Sequence, residues 1–326
     1  MGRPDGTLEI PFVKGHMGGN TIALFPGTVV PAEKARETVL EAIAETCLGC
    51  HEGALLLPGR TGEADLRLRI VGRASGRFIT ACGGLTQVLG AAIAERELER
   101  VFGFGPGGTG DFVLETDGGP VRLQVSASGS GPRTETDMTP FLQEIRRDGV
   151  ERVELDGTPA ARIGKFLAVC ADDLAGRFGA EEVRALALEV RNRLTRLQAE
   201  FLERYPQPSL DFVVVDLHPE RAGCHGRVVF PHWIPGGHIE PACGTGTVAA
   251  CVALELSGRL PGSVETGSLE VRFESGGGPF LGGPETTSAY LGMEGGRISA
   301  IRFSHSLVEL TAYGKVTLER GTPAGA

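Results

Sequence analysis

Aromatic side chains are scarce in this chain, with one Trp, three Tyr and 15 Phe making up 6% of the residues. Glycine is abundant instead, at 49 residues, a balance that favours many short strands and tight turns over a helical bundle. An excess of positive charge is also missing. With 41 acidic against 32 basic residues the formal net charge is −9, which argues against nucleic acid or an anionic membrane as the main partner. No stretch approaches the ~18 consecutive apolar residues of a membrane-spanning helix. The opening MGRPDGTLEIPF lacks the basic and apolar regions of a secretory signal. The seven cysteines are an odd number and, without an export signal, read as the reduced thiols of a cytoplasmic protein. At 326 residues the chain has length for about two domains and a core that needs no disulfide or metal staples.

Alternating apolar and polar residues predict strands at Leu66–Ile70, Val121–Val125, Leu269–Phe273 and Lys315–Leu318, and the apolar runs Phe112–Leu114 and Phe212–Val215 also read as strands. Two stretches have helical period. Val39, Leu40 and Ile43 stripe residues 31–46, and Val183, Leu186, Val190, Leu194, Leu197 and Phe201 stripe the second. Both predict amphipathic helices on the outside of a sheet. Two further segments, Leu85–Ala94 and the run Thr247–Leu256, are apolar on nearly all sides in their first turns, so each predicts a helix surrounded by protein. The turn-rich region around 117–150 is the best domain boundary, which gives an N-terminal domain of residues 1–118 and a C-terminal domain of 119–304. A strand from 305–326 is a candidate to complete the first.

The two buried helices begin alike. Thr80-Ala-Cys-Gly-Gly84 precedes one and Pro241-Ala-Cys-Gly-Thr245 the other. Ala81, Cys82 and Gly83 match Ala242, Cys243 and Gly244, while Thr86 matches Thr247 and Ala92 matches Ala253. The cysteines lie 161 positions apart (243 − 82), about half the chain. A thiol at a helix N-terminus faces unpaired N–H groups and the positive end of the macrodipole, which together stabilise a thiolate and lower its pKa. Two such thiols suit proton transfer at carbon with inversion, in which one thiolate removes a proton from one face and one thiol delivers a proton to the other. Helix N-termini also hold a carboxylate and stabilise the negative charge that forms on it.

These motifs resemble those of the diaminopimelate epimerase and proline racemase superfamily, which works without pyridoxal phosphate. Phe12-Val-Lys-Gly-His-Met-Gly-Gly-Asn20 is similar to the opening of both families, Gly53–Pro58 is racemase-like, and Ala242-Cys-Gly-Thr-Gly246 matches the second-cysteine motif of both. The resemblance covers most of the chain. It implies an α+β fold of two pseudo-symmetric domains, each a barrel-like, mostly antiparallel sheet around a central helix, with the active site in the cleft between them. It implies Cys82 and Cys243 as the acid–base pair. The amides of Gly83, Gly84, Gly244, Thr245 and Gly246 are implied to line a carboxylate site, with Asn20 as a substrate contact.

The chain also departs from the pattern. Gly83-Gly84-Leu85 follows the first cysteine, where the racemases have Gly-His-Gly and the epimerases Gly-Asn-Gly. Ile239 stands where proline racemases carry an aspartate, and Ile234-Pro235 where epimerases carry Glu-Arg. Glu240, the only acid in the six residues before Cys243, is the candidate partner for a substrate ammonium.

Other motifs carry less. Cys47-Leu-Gly-Cys-His51 fits haem attachment, but that chemistry belongs to exported proteins. Cys47, Cys50, Cys224 and His225 do not have the spacing of a standard zinc site. His238, Glu240 and Cys243 echo zinc deaminases but lack their second cysteine. Gly164-Lys165 lacks the glycine spacing of a phosphate loop. His16 reads as structural, and Cys170 and Cys251 as core packing.

The expectation is therefore an enzyme, a cofactor- and metal-independent amino-acid racemase or epimerase. Its partner is a small amino acid, proline- or hydroxyproline-like or another, and a homodimer is left open. The alternatives are a dehydratase or isomerase on the same fold, and a non-catalytic amino-acid-binding protein.

Overall fold

The computed structural model describes residues 7–319 except 61, 130, 176–181, 183–186, 207–209, 232–239, 263 and 276–284. The chain divides into two compact units, residues 1–136 with 308–326 and residues 137–307.

In the first unit, β1 (Thr7–Met17) and β2 (Asn20–Pro26) form a hairpin closed by Gly18 and Gly19, at φ of 54° and 91°. Residues without a Cβ enter that region at least cost, and a two-residue turn of this kind follows the twist of the strands. Helix α1 (Ala35–Ile43) carries the chain to β3 (Glu52–Pro58), which runs parallel to β2. Strands β4 (Leu66–Gly72) and β5 (Arg77–Ile79) continue antiparallel. Helices α2 (Gly83–Ala94) and α3 (Glu97–Phe102) follow. Strand β6 (Gly110–Thr116) then pairs parallel with β4, and β7 (Gly119–Ser128) and β8 (Gly131–Asp137) add antiparallel.

Strand periodicity sorts this unit into two cores. Ile22 and Leu24 pack with Leu56, Leu68, Leu85, Val88 and Ala92, on the side of α2. Ala23 and Phe25 pack with Val39, Ala42 and Ile43, on the side of α1. A strand covered on both faces reads as a nearly continuous apolar run. For that reason the alternation rule passes over β2, whose sequence is NTIALFP.

Helix α2 is buried along all but its last residue and touches β1, β2, β3 and β7, so the sheet curls around it. Gly90 lets β8 come close, because a Cβ there would lie 2.2 Å from Thr134 Oγ1.

The second unit opens with α4 (Thr139–Asp148), followed by the antiparallel strands β9 (Val150–Leu155), β10 (Thr158–Ile163) and β11 (Phe166–Cys170). A short helix, α5 (Ala171–Ala175), and the long α6 (Leu188–Arg204) lead to β12 (Asp211–Asp216), parallel to β11. Val190, Leu194, Leu197 and Phe201 of α6 pack on Leu167, Val169, Phe212 and Val214, as the helical stripe requires, while Val183 and Leu186 lie outside the described residues. Strand β13 (Gly226–Val229) is antiparallel to β12, and helix α7 (Gly244–Ser257) follows it. Strand β14 (Gly267–Ser275) is parallel to β13, and β15 (Thr286–Glu294) and β16 (Arg297–His305) complete the unit. Helix α7 packs against β9 to β12 and against β15 and β16, strands from both ends of the pairing order.

The last strand, β17 (Val308–Glu319), returns to the first unit and pairs with β1 from Thr7 to Met17. It occupies the place beside β1 that β9 occupies beside β10. The division at Thr136/Asp137 falls inside the 117–150 region but beyond residue 118, because β7 and β8 extend the pairing of β6. The architecture is a mixed α/β fold in which antiparallel pairs predominate. Each unit shows the same order: hairpin, outer helix, parallel strand, antiparallel strand, buried helix, parallel strand and two antiparallel strands.

Gly90→Ala is expected to overpack against the β-branched Thr134. Overpacking costs about 1–3 kcal/mol, of which about 1 returns as helix propensity. Thermal unfolding should therefore show a lower Tm, partly restored in Gly90→Ala/Thr134→Ala, and an unchanged Tm in the single variant would contradict the close approach.

Candidate active site

Each matched cysteine is the N-cap of its buried helix. Cys82 is extended (φ −150°, ψ 109°) and its Sγ accepts the N–H of Leu85 at 3.3 Å. Cys243 has the same conformation (φ −138°, ψ 115°), and its Sγ accepts the N–H of Gly246 at 3.3 Å and lies 3.3 Å from Thr245 Oγ1. Sulfur thus takes the place that a serine or aspartate oxygen usually fills at a helix start. The matched threonines brace the same turns from behind. Thr86 Oγ1 donates to Gly83 O at 2.9 Å, and Thr247 Oγ1 donates to Cys243 O at 2.8 Å. Thr86, Gln87 and Thr136 form a buried polar group, with Gln87 Nε2 donating to Thr136 Oγ1 at 2.9 Å.

The first unit brings Asn20 to its thiol's helix. Asn20 is buried, and a Cβ on Gly84 would stand 3.5 Å from its Nδ2. Gly83 and Gly84 are the first two helical residues, whose N–H groups have no acceptor within the helix. His16 serves the hairpin, its Nδ1 accepting the N–H of Gly19 at 3.3 Å while Nε2 stands 3.5 Å from Glu309 Oε2.

In the second unit, Gly244 and Thr245 are the corresponding pair, and the N–H of Gly246 is engaged by the sulfur. Phe230 packs so closely that a Cβ on Gly246 would lie 2.5 Å from its ring. Glu240 forms an isolated bridge with Phe230, its N–H donating to Phe230 O at 2.9 Å. Residues 232–239, which include Ile234, Pro235, His238 and Ile239, lie outside the described residues.

The electrostatics correct one expectation. Burial pushes the Cys243 thiol well above its ordinary value, and the Glu240 carboxylate pushes it further; the hydrogen bonds from Thr245 and Gly246 act downward but do not compensate. The helix start reduces the cost of a thiolate there, yet a site only 9% exposed costs more than two hydrogen bonds to sulfur return. Cys50 and Cys251 are packed in cores, and burial raises their thiols to about 11 and about 12.

An ion pair that no sequence motif announces stands in this region. Lys165, in the turn between β10 and β11, places Nζ 2.7 Å from Asp211 Oδ2 at the start of β12. A separate cavity of about 240 Å³ borders Cys170, Arg259 and the C-terminal turns of α7, including Ala253 and Leu256. Ala253 is ten residues beyond Cys243, about 15 Å along a helix axis, so this cavity belongs to the other end of α7. Among the described residues, no group of three or more His, Cys, Asp or Glu is placed to hold a metal ion, and no helix is long and apolar enough to cross a membrane.

No protein-family model and no curated protein matches the chain. Solved structures do. A probable proline racemase from Agrobacterium radiobacter is 17% identical, with a TM-score of 0.64 over 96% of this chain and 94% of its own. A hydroxyproline epimerase from Agrobacterium vitis, solved with trans-4-hydroxy-L-proline bound, is 18% identical, with a TM-score of 0.63 over 97% and 93%. A PhzF-family phenazine biosynthesis protein from Bacillus anthracis is 13% identical, with a TM-score of 0.59 over 95% and 99%. The chain shares the fold of these racemase, epimerase and PhzF-family structures.

The raised Cys243 thiol gives an order of labelling. With iodoacetamide at neutral pH, the exposed Cys47 and half-buried Cys82 should be carbamidomethylated before Cys243. Labelling of Cys243 should rise steeply only as pH climbs beyond the ordinary thiol range of about 8.5, since the thiolate is the nucleophile. Peptide mass spectrometry reads each site, and fast labelling of Cys243 at pH 7 would contradict the burial argument.

Proposed function

We propose that this chain is a cofactor-independent amino-acid racemase or epimerase that inverts Cα by two-base proton transfer, with Cys82 and Cys243 as the acid–base pair. One observation carries the reading. Two cysteines cap two buried helices through sulfur, at the same place in the same order of strand pairings. We read the two units as pseudo-symmetric halves on that ground. The structural neighbours, a probable proline racemase and a hydroxyproline epimerase, support an amino acid as substrate, proline-like ones included.

In this reading a thiolate takes the Cα proton. An S–H bond forms, the C–H bond breaks, and its electron pair moves into the substrate carboxylate. The second thiol then gives its proton to the opposite face of Cα, forming the new C–H bond and becoming the thiolate. The two cysteines exchange roles with each turnover, and nothing is oxidised or reduced. The N–H groups of Gly83, Gly84, Gly244 and Thr245 are suited to the carboxylate, because a helix start offers donors without acceptors and favours negative charge. Leu85 and Gly246 spend theirs on the sulfurs. Asn20 is a substrate contact beside the first helix. Glu240 takes the ammonium, and a cation bound there removes the opposition that Glu240 offers to the Cys243 thiolate.

Another structural neighbour is a methylitaconate-delta-isomerase, so a proton shift between carbons is the second reading on this fold. A shift along one face needs one thiol, and the matched pair favours inversion.

Cys82→Ala and Cys243→Ala are each expected to abolish racemisation, beyond the roughly 10²–10⁴-fold that loss of one acid or base costs, because inversion needs both. Chiral chromatography of a panel of L- and D-amino acids checks this, and retention of more than about a tenth of the wild-type rate would refute the two-base mechanism. Glu240→Gln should raise KM and lower kcat/KM about 10-fold, since a hydrogen bond to a charged group is worth roughly 1.5–3 kcal/mol. Steady-state kinetics unchanged by that substitution would remove Glu240 as the ammonium partner.

A further inference from the structure

The two hairpins differ in charge at their turns. The β1–β2 turn holds Gly18 and Gly19, whereas the corresponding β10–β11 turn holds Gly164 and Lys165. In the first unit the strand parallel to β2 is approached through Cys50, while in the second the strand parallel to β11 opens with Asp211, opposite Phe166. By strand register, the charged pair Lys165–Asp211 therefore has uncharged counterparts in the first unit, Gly19 and Cys50.

Strand register places the pair at the right end of the second unit. Phe166 and Asp211 begin two parallel strands, and Asp211 N donates to Lys165 O at 3.1 Å. Strand β13 runs antiparallel to β12 and ends at that same edge, where Phe230 bridges to Glu240 just before Cys243. Lys165 is crowded by neighbouring atoms yet keeps 47% of its side-chain surface exposed. Crowding works against its charge, but Asp211, Cys243 and Glu240 outweigh it and hold the ammonium above its ordinary range. Asp211 in turn is among the groups that oppose a thiolate at Cys243.

We propose that Lys165 and Asp211 form a positioning pair for Cys243, the Lys165 ammonium offsetting the Asp211 carboxylate so that Glu240 is the main acid left facing the thiol. That division leaves Glu240 to the substrate ammonium. Other charged and titratable groups around α7 are arranged differently. Arg146 pairs with Glu255, which also accepts from Ile298 N, and Arg152 binds Leu256 O, all at the C-terminal end of the helix. Glu274, held by Arg227, belongs with Glu285 and His305 to the strand ends where Ser275 Oγ donates to Pro241 O. These groups are common to every variant compared below.

The proposal rests on Cys243 being a working thiol, and its test reads that thiol without turnover. The rate of iodoacetamide labelling at Cys243 is followed by peptide mass spectrometry across pH for the wild-type chain and its variants. Lys165→Met should move the midpoint up by about half a pH unit or more, the effect of removing one nearby cation. Asp211→Asn should move it down, Lys165→Met/Asp211→Asn should return it toward wild type, and Lys165→Arg should leave it in place. Circular dichroism confirms folding for each chain, and Lys165→Gln replaces Lys165→Met if the latter unfolds. Equal midpoints in wild type and the folded, uncharged Lys165 variant overturn the proposal. If the midpoints move as stated but no amino acid undergoes Cα exchange, the racemase reading fails and the pair stands. If exchange occurs with unmoved midpoints, the pair fails and the racemase reading stands.

Discussion

An apolar helix that must be covered on every side organises each unit. Gly83–Ala94 and Gly244–Ser257 have no polar face to offer water, so a sheet bends around each until strands from both ends of its order touch the helix. Burial of the sides leaves the first turn as the place where backbone N–H groups need partners. Sulfur from the preceding residue accepts one of those N–H groups in each helix, while a threonine hydroxyl donates to a carbonyl of the same turn. The thiols are held in place by this capping geometry.

Holding a thiol there does not make it a thiolate. At Cys243 dehydration and a carboxylate act against ionisation, and two hydrogen bonds act for it. An acid–base group for a weakly acidic carbon proton gains from this arrangement, because a high-pKa thiolate is the stronger base once it forms. The cost is a small thiolate population in the empty site. In the proposed reaction, a substrate ammonium beside Glu240 would raise that population and so couple the charge of the site to its occupancy.

Much of this was legible in the sequence. The paired Ala-Cys-Gly motifs, each before an all-apolar run, identified both helix starts and both thiols, and the stripe Val190, Leu194, Leu197, Phe201 identified the outer helix of the second unit. Strands with one polar face were readable from alternation, as in Leu66–Ile70. Strands β2 and β3 were not, because helices on both faces remove the alternation. The ion pair of Lys165 and Asp211 was invisible for another reason. Its members are 46 positions apart (211 − 165), and parallel pairing across a helical crossover brings them together. The sign of the Cys243 shift needed burial, which no local motif encodes.

The central claim is that two thiols act on opposite faces of one Cα, and deuterated water tests it most directly. Starting from a single enantiomer and stopping at low conversion, the product enantiomer should carry solvent deuterium at Cα while the remaining substrate carries almost none. The proton removed and the deuteron delivered then belong to different sulfurs. Deuterium appearing equally in product and recovered substrate would show one group serving both faces and would contradict the account.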